Sequence, residues 1–405
     1  MSASAAIVVT GTGMVTPAGA GVDETWKAVR DARTLTGPAS RPADRPERHC
    51  LSVPAFGSDI LPGRGTAHLD PFMRYALVAV DEAIAESGLD PGTWDGRRVG
   101  IVVGCGLGGV GTMTAAQTRL DERGADTVSP YLHPRSLMNM AAGTLAIRHH
   151  ITGPSHTVVA ACASGAVAIG VARDLIRAGT CDTVVACGTD AGVVPVVAAG
   201  FAAMGALSDS FAADASRPFA ADRSGFVLSE GAAAVVLERE DAARRRGAPD
   251  LGRILGYGFT TDAHHPVQPH PDGAGAEAAL RTALEDAGLA PGDVDHVNAH
   301  GTSTPHNDRM EARLITKLFP HGPSVTANKG VLGHSLGAAG AVEAVLTLRT
   351  LTTGVVPPTA HTPAVDPELE GLDLVLGSER HQQPRVAVSN SLGFGGVNCA
   401  LVMGV

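Results

Sequence analysis

Two stretches of this chain share one pattern, in which a chemically active side chain is followed by a helix built almost entirely of small residues. The first stretch is ACASGAVAIGVAR at 161–173, and the second is GHSLGAAGAVEAV at 333–345. Superposing Cys162 on His334 aligns Gly165 with Gly337, and glycines at 179 and 354 are the expected stops of the two helices. A repeat of this size predicts two similar halves, each with a close-packed central helix.

The segments around these stretches alternate between Val- and Ile-rich runs and Ala-rich runs. The apolar runs include RVGIVVG at 98–104, TVVACG at 183–188, HVNAH at 296–300 and RVAVSN at 385–390. This alternation is typical of an α/β protein with buried sheets. A length of 405 residues suits two halves that share a core. We expect halves at 1–253 and 254–405, with an irregular Pro- and Arg-rich excursion at 37–65.

The composition argues against several classes of protein. No apolar run reaches the roughly 18–20 residues that span a bilayer, and the N-terminal MSASAAIVVTGTG is read as a strand rather than a signal peptide. A net charge of −10 and an aromatic content of 3% oppose nucleic-acid binding. The six cysteines form no CxxC pair, which favours free thiols in a reducing compartment. We expect a cytoplasmic protein that binds neither membranes nor nucleic acid.

Cys162 is the strongest candidate nucleophile. It stands where a buried strand is expected to give way to a helix, and the unpaired N–H groups of a helix start favour a thiolate and can bind an oxyanion. A buried cysteine is more commonly a small hydrophobic residue. We keep that interpretation for Cys105, Cys181, Cys187 and Cys399. Cys162 differs because His334 matches its position in the second stretch.

Two histidines are candidate partners of Cys162. If a pseudo-twofold axis relates the halves, the two helix starts meet and His334 lies beside Cys162. His300 ends a strand in VNAHGTSTPHND, a location that catalytic residues favour in α/β proteins. A helix start disfavours the imidazolium, so a neutral His334 can donate a hydrogen bond to a carbonyl oxygen. Lys329 and Glu343 would each be more easily explained if they formed an ion pair, which the sequence alone leaves open.

Two other motifs suggest different classes of enzyme. GHSLG at 333–337 matches the GxSxG elbow of serine hydrolases, with Ser335 as the nucleophile. That hypothesis needs an acid and a histidine downstream, but His361 and His381 lie in Pro-rich or polar stretches. GCGLGG at 104–109 matches GxGxxG, yet no strand ending in an acidic residue follows about 20 residues later, as a dinucleotide site requires. A tight glycine turn is the better interpretation.

Four ordered motifs identify a resemblance to a known family. They are ACASG, HGTSTPHND, KGVLGHSLGAAG and NSLGFGGVN, with RPFAADRSGFVLSEGA between the first two. Together they resemble the β-ketoacyl-acyl-carrier-protein synthases of the thiolase superfamily, in particular the elongating type II condensing enzymes. The resemblance covers nearly the full chain. It implies two thiolase-like halves in a five-layered α-β-α-β-α arrangement.

The resemblance also implies a reaction and roles for individual residues. Cys162 would take an acyl chain, while His300 and His334 would bind a malonyl thioester and stabilise the enolate formed by decarboxylation. The N–H groups of Cys162 and Phe394 would form the oxyanion hole, and Phe394 would also be a gate. Lys329 and Glu343 would support the histidines. The substrate channel would be lined by Thr302, Thr304, Leu392, Gly395 and Val397.

The resemblance implies the partners of the reaction as well. No metal or cofactor is expected beyond the phosphopantetheine that an acyl carrier protein brings. The expected assembly is a homodimer, or a heterodimer with a homologous subunit like a chain-length factor. Arg64 and Arg74 are candidate contacts for the carrier.

Several positions depart from the family pattern. Leu392 replaces the usual Phe, Val397 the usual Thr or His, and Val267 a frequent channel Thr. These departures favour a specialised polyketide pathway, with housekeeping fatty-acid elongation as the alternative. A catalytically silent partner subunit or carrier-binding scaffold is a further alternative, which the intact Cys162, His300 and His334 oppose.

Overall fold

The computed structural model of the protein describes residues 6–36, 49–56, 60–61 and 66–405. Most of the excursion expected at 37–65 lies outside these residues, as does Arg64. The strands are β1 (Ile7–Thr16), β2 (Gly19–Ala20), β3 (Cys50–Leu51), β4 (Val99–Gly104), β5 (Ser155–Val158), β6 (Thr183–Asp190), β7 (Leu228–Ser229), β8 (Gly231–Arg239), β9 (Arg253–Thr261), β10 (His296–Asn298), β11 (Ser324–Thr326), β12 (Val355–Val356), β13 (Arg380–His381), β14 (Val386–Gly393) and β15 (Val397–Gly404).

Helices separate most of these strands, as the alternating pattern predicts. They are α1 (Val22–Arg30), α2 (Pro71–Ser87), α3 (Val110–Arg123), α4 (Leu132–Ser136), α5 (Asn139–Arg148), α6 (Ser164–Arg177), α7 (Pro195–Ala203), α8 (Glu240–Arg245), α9 (Ala274–Ala287), α10 (Pro305–Leu318), α11 (Lys329–Leu332) and α12 (Ala339–Thr353). Short 3-10 turns at Ala161–Ala163 and Leu336–Ala338 lead into α6 and α12.

The main sheet consists of two parts with the same strand order. Its path is β11-β10-β14-β15-β9-β1-β8-β6-β4-β5, and β9 meets β1 at the pair Val8–Arg253. Read outward from that junction, β1-β8-β6-β4-β5 corresponds to β9-β15-β14-β10-β11. Corresponding neighbours are also parallel or antiparallel alike. The expected division at 253/254 falls at the first residue of β9 and stays a prediction.

Helices cover both faces of each part of the sheet. α2 packs on β1, β6 and β8, and α9 packs on β9 and β15. Between the two parts lie α6 and α12, each of which contacts strands of both. Because both faces are covered, β4 and β6 are buried at every position; β4 consists of small and apolar residues throughout, whereas β6 ends in the polar pair Thr189 and Asp190. This is the expected five-layered arrangement, and the predicted α/β thiolase-like fold is confirmed.

The two central helices touch through glycine. A Cβ placed on Gly165 of α6 would lie 2.8 Å from the backbone nitrogen of Ala341, and one on Gly340 of α12 would lie 2.8 Å from that of Ala166. These contacts are reciprocal, which makes Gly165 the counterpart of Gly340. The pseudo-twofold axis therefore runs between the two helices.

This symmetry corrects the alignment made from sequence. Both 3-10 turns begin at a residue with positive φ, Ala161 at 47° and Leu336 at 53°. Matching these turns pairs Cys162 with Gly337, so the superposition of Cys162 on His334 is wrong by three residues. His334 instead lies two residues before the second 3-10 turn. It contacts Cys162 without being the symmetry counterpart of that residue.

Two expectations from composition can be compared with the fold. No helix in the described ranges combines the length and the apolar character needed to cross a membrane. All six cysteines are free, as expected from their spacing, and the structure also places all six in buried positions.

We expect the substitution Gly165→Ala to lower the free energy of unfolding by about 1–3 kcal/mol, because the added methyl group overlaps the backbone of α12. Gly143, inside α5, provides the matched control, since a methyl group added there would have no atom within 4 Å. Gly143→Ala should stabilise by about 0.5–1 kcal/mol through helix propensity. Urea unfolding of both variants measures the difference. Equal effects of the two substitutions would contradict this account of the helix contact.

Candidate active site

A cavity of about 240 Å³ lies between the two halves, and its lining includes Cys162, His300, His334 and Phe394. Cys162 Sγ and one ring nitrogen of each histidine all lie within 4.8 Å of one another. The Sγ atom is 3.1 Å from His334 Nε2, and the two imidazole rings are 5.4 Å apart and nearly perpendicular. The structure therefore brings together three side chains that lie far apart in the sequence.

Cys162 is held in the 3-10 turn between β5 and α6. The hydroxyl of Ser164 closes this turn, since it accepts a hydrogen bond from Ala160 N at 2.9 Å and donates one to Ala161 O at 2.7 Å. The neighbouring residues are small, so the turn lies against the first residues of the second 3-10 turn without steric overlap. The thiol is thereby fixed at the bottom of the cavity, and Cys162 is only 7% exposed.

Burial dominates the acidity of this thiol. Removal from water raises the pKa of Cys162 to about 11, while the Lys329 charge and the N–H that Phe394 donates to the sulfur act in the opposite direction. The helix start was expected to favour the thiolate, but burial outweighs any such effect on the pKa of Cys162. At neutral pH the cavity contains a thiol, with the Phe394 N–H already directed at the sulfur.

His334 is fixed by backbone contacts on both sides. Its N–H donates to Val227 O at 2.7 Å, and its carbonyl oxygen accepts from Ser229 N at 3.0 Å, which ties it to β7. Leu336 N donates to His334 Nδ1 at 3.3 Å. A backbone N–H can only donate, so in the neutral ring the proton is on Nε2.

His300 is positioned by a carboxylate that sequence reasoning missed. Glu311 of α10 accepts hydrogen bonds from His300 N at 2.7 Å and Gly301 N at 2.9 Å. Asn390 of β14 donates to the same carboxylate at 3.2 Å. The turn after β10 is thereby held against α10, and His300 is directed into the cavity.

The ion pair between Lys329 and Glu343 is present and fully buried. The Lys329 ammonium donates to a Glu343 carboxylate oxygen, to His300 O at 2.6 Å and to His300 Nδ1 at 3.2 Å. An ammonium has only donors, so His300 also carries its proton on Nε2. Burial raises the pKa of Glu343 to about 7, and Lys329 opposes that rise.

Both imidazoles are therefore neutral and present an Nε2–H group to the cavity. Burial, reinforced by the Lys329 charge, holds the pKa of His300 and of His334 well below the ordinary 6.5. One thiol and two imidazoles are also a ligand set that Zn²⁺ binds. In these tautomers, however, the Nε2 atoms carry protons and are hydrogen-bond donors rather than metal ligands. The arrangement suits an oxygen atom that gains negative charge.

The predicted channel residues are only partly found at the cavity. Thr302, Thr304 and Leu392 line it, and the hydroxyls of Thr302 and Thr304 are 2.8 Å apart. Gly395 and Val397 are not among its lining residues. Gly395 is exposed and donates to Pro266 O, while Val397 packs against the core, because the turn after β14 directs only Phe394 inward.

An aromatic cluster and a second buried acid at this site were also missed. The Phe201 ring lies 6.1 Å from that of Phe394 and 5.4 Å from that of Phe226, which in turn lies 5.1 Å from the His334 ring. Asp190 accepts N–H bonds from Gly106 at 3.0 Å and Gly337 at 2.7 Å. Asp190 could have been predicted as a buried functional acid, because it ends the apolar run TVVACGTD. The phenylalanines stand alone in the sequence, and no pattern there predicts their contacts.

In the part of the chain that the structure describes, neither rival motif has the partners that its hypothesis requires. In the GCGLGG turn, the N–H groups of Gly106 and Leu107 already bind Asp190, so they are not available to a dinucleotide phosphate. Ser335 has no downstream histidine partner among the described residues. His361 binds Thr34 and Ser216, and His381 lies beside Glu379.

Comparison with known proteins places the chain in a family. The family model of the β-ketoacyl synthase N-terminal domain matches residues 4–243, and that of the C-terminal domain matches residues 251–363. The chain belongs to the β-ketoacyl synthase family, and it is an acyl-transferring condensing enzyme.

Its relatives span nearly the whole chain. It is 39% identical to 3-oxoacyl-[acyl-carrier-protein] synthase 2 of Rhizobium meliloti, over 98% of both chains, and 38% identical to that of Synechocystis, over 98% and 97%. Among solved structures, the ishigamide ketosynthase/chain length factor has a TM-score of 0.91 at 30% identity over 100% of both chains. The AntDE–AntF complex of a type II polyketide carrier protein with its hexaketide-bound ketosynthase also has a TM-score of 0.91, at 27% identity over 99% of both.

We expect His300 and His334 to remain neutral Nε2–H tautomers when the pH is lowered from 8 to 6, because burial and Lys329 disfavour their protonation. Nitrogen-15 NMR of histidine-labelled protein distinguishes the two tautomers and the imidazolium. His300→Asn and His334→Asn variants assign the signals. A signal of either residue that titrates near pH 6.5, or shows an Nδ1–H tautomer, would refute the assignment.

Proposed function

We propose that the protein catalyses decarboxylative condensation of an acyl group held on Cys162 with a malonyl thioester of an acyl carrier protein. The product is a β-ketoacyl carrier protein. The observation that carries this proposal is the convergence of one thiol and two Nε2–H donors on one cavity between the two halves. Membership of the β-ketoacyl synthase family agrees with it.

The first half-reaction transfers the acyl chain. Cys162 Sγ attacks the thioester carbonyl, the bond to the carrier's sulfur breaks, and the thiol proton leaves on that sulfur. The negative charge on oxygen forms close to the N–H groups of Cys162 and Phe394, which serve as the oxyanion hole. The raised pKa of Cys162 fits a proton that departs during the reaction rather than before it.

The second half-reaction joins two carbons. The malonyl thioester oxygen accepts from His300 Nε2–H and His334 Nε2–H, and loss of CO2 leaves an enolate on that oxygen. The enolate carbon attacks the acyl carbonyl, the carbon–sulfur bond of Cys162 breaks, and the released thiolate takes one proton from water. Decarboxylation supplies the carbanion, so the proposal requires neither a metal nor a cofactor of the protein's own.

Lys329 and Glu343 are positioning residues in this scheme. The Lys329 ammonium holds the His300 ring through Nδ1 and also keeps both imidazoles neutral. Thr302 and Thr304, which line the cavity, offer hydroxyls to the pantetheine arm. Phe394 is the proposed gate, since its ring packs on Phe201 at the cavity wall.

For the pathway, we propose a type II polyketide or other specialised route. Two departures from the family pattern, Val267 and Leu392, line the cavity, so they change the surface that a substrate meets. A solved ketosynthase of a type II polyketide system matches the fold closely, whereas the curated relatives named above are 3-oxoacyl carrier protein synthases. Housekeeping fatty-acid elongation therefore remains the alternative, and a panel of acyl chains separates the two.

For the assembly, we propose that a second chain of the same fold adds to the free edge of β5. This strand ends the main sheet, and exposed apolar residues flank it: Val159 is 60% exposed and Ile147 is 79% exposed. An unpaired edge with such neighbours is a site for strand addition. The second chain is either a copy of this one or a homologous chain-length-factor-like subunit.

The catalytic roles can be tested by intact-protein mass spectrometry and CO2 release. The wild type should gain an acyl group from acyl carrier protein and then lose it to malonyl carrier protein. Cys162→Ala should not be acylated but should still decarboxylate malonyl carrier protein. His300→Ala should be acylated yet decarboxylate about 100-fold more slowly or worse, because an oxyanion donor is lost.

Exposed His133→Ala is the control for histidine removal and should behave as the wild type. Acylation of the Cys162→Ala protein, or decarboxylation by His300→Ala at the wild-type rate, would disprove the division of roles. Ser335→Ala should retain condensation, and loss of an acyl-serine adduct in that variant would instead favour a hydrolase.

The proposed interface can be tested with Thr157→Pro. The carbonyl groups of Pro154 and Val158 face β4, so by alternation the N–H of Thr157 faces the free edge. Proline removes that donor and should shift the assembly to monomers in analytical ultracentrifugation. Thr157→Val keeps the donor and should remain associated. Identical sedimentation of both variants and the wild type would rule out pairing through this edge.

A further inference from the structure

A second cavity of about 240 Å³ lies next to the reaction cavity and opens at the surface. The two cavities share Gln268, Pro269 and His306 in their linings. A ligand that occupies the reaction cavity and extends outward past these residues therefore enters the second cavity. We call the second cavity the vestibule.

One helix supplies the cationic wall of the vestibule. His306, Arg309 and Arg313 lie on one face of α10 at successive turns, and all three line the vestibule. Arg309 donates to Glu368 at 2.8 Å, so its charge is already partly balanced. Arg313 is exposed and has no ion pair with any residue in the described ranges. The vestibule thus contains one uncompensated guanidinium and a second that is shared.

This local charge contrasts with the rest of the chain. The net charge is −10, so an anionic ligand is repelled by the protein as a whole and needs a local cationic site to bind. Guanidinium groups bind phosphate oxygens through paired N–H donors, more strongly than they bind neutral acceptors. Such a wall fits a phosphate or a carboxylate, and the anion that a carrier-bound thioester places outside the reaction cavity is a phosphodiester.

We infer that the vestibule binds the phosphodiester of the carrier's phosphopantetheine arm, with Arg313 as its principal contact and Arg309 as the second. This inference rests on the proposed function, because it assumes that the pantetheine part of the arm occupies the reaction cavity. Thr302 and Thr304 then contact the uncharged arm, and the phosphate lies beyond His306 at the arginines. The carrier protein itself remains outside the vestibule.

Direct binding tests the inference without requiring catalysis. Isothermal titration calorimetry compares 4′-phosphopantetheine with pantetheine, which lacks only the phosphate. The wild type should bind the phosphorylated ligand about three- to tenfold more tightly. Arg313→Ala should remove most of this difference, and Arg313→Lys should restore part of it through its charge. Arg244→Ala, at an exposed arginine of α8, is the matched control and should leave the difference unchanged.

Kinetics with malonyl thioesters supply the second measurement. Arg313→Ala should raise KM for malonyl-phosphopantetheine and for malonyl carrier protein by similar factors, with kcat unchanged, and should leave malonyl-pantetheine unaffected. Equal affinity of the wild type for the two calorimetric ligands would overturn the inference. A rise in KM confined to the carrier protein would overturn it too, because Arg313 would then contact the carrier's own surface. Failure of the wild type to turn over any thioester would overturn the proposed function, while the calorimetric result would still decide the phosphate site.

Discussion

The hydrogen bonds of the buried Lys329 ammonium are the constraint on which the rest of the site depends. An enclosed charge without partners costs several kcal/mol, so each of its three N–H groups needs an acceptor. Those acceptors are a Glu343 oxygen on α12 and two atoms of His300 after β10. One ammonium therefore accounts for an acid inside an apolar helix, fixes the tautomer of one catalytic candidate and lowers the pKa of both imidazoles.

The duplicated framework produces a single site because its two equivalent turns carry different residues. Cys162 occupies one turn and Gly337 the other, and the two central helices cross through Gly165 and Gly340. The N–H of Gly337 donates to Asp190, which anchors the second turn to β6. His334 reaches the thiol from the segment before its own turn. The symmetry brings the two turns close together. The site has one thiol because only the first turn carries a cysteine.

Sequence reasoning was sufficient where a short motif contains both the reactive residue and its local geometry. The alternating pattern and the repeat predicted the halves, and the turn before α6 predicted an enclosed thiol near His334. The register of the repeat was not accessible, because small residues at 337 and 340 allow more than one alignment. The pairing of Lys329 with Glu343 was recognised only as an open possibility, since nothing local joins residues of two helices.

Contacts made across the fold were the least predictable part of the site. Glu311 holds His300 from within an amphipathic helix in which an acid is ordinarily solvated, and its burial depends on how α10 packs. The aromatic contacts of Phe201 and Phe226 likewise depend on the packing of α7 and on the segment before β7. Gly395 and Val397 were assigned to the channel from the family resemblance, but in the tight turn after β14 Gly395 binds Pro266 and Val397 packs against the core.

Enclosure explains why the three reacting groups are all neutral at rest. The same burial that raises the pKa of Cys162 lowers that of His300 and His334, so these three groups become charged only as bonds rearrange. In a poorly solvated space, fixed N–H donors interact more strongly with a developing oxyanion than they do in water. The ion pair of Lys329 with Glu343 lies behind the His300 ring, on its Nδ1 side. The free charge of Arg313 lies outside in the vestibule, where it can attract an anionic ligand without altering the protonation of the enclosed groups.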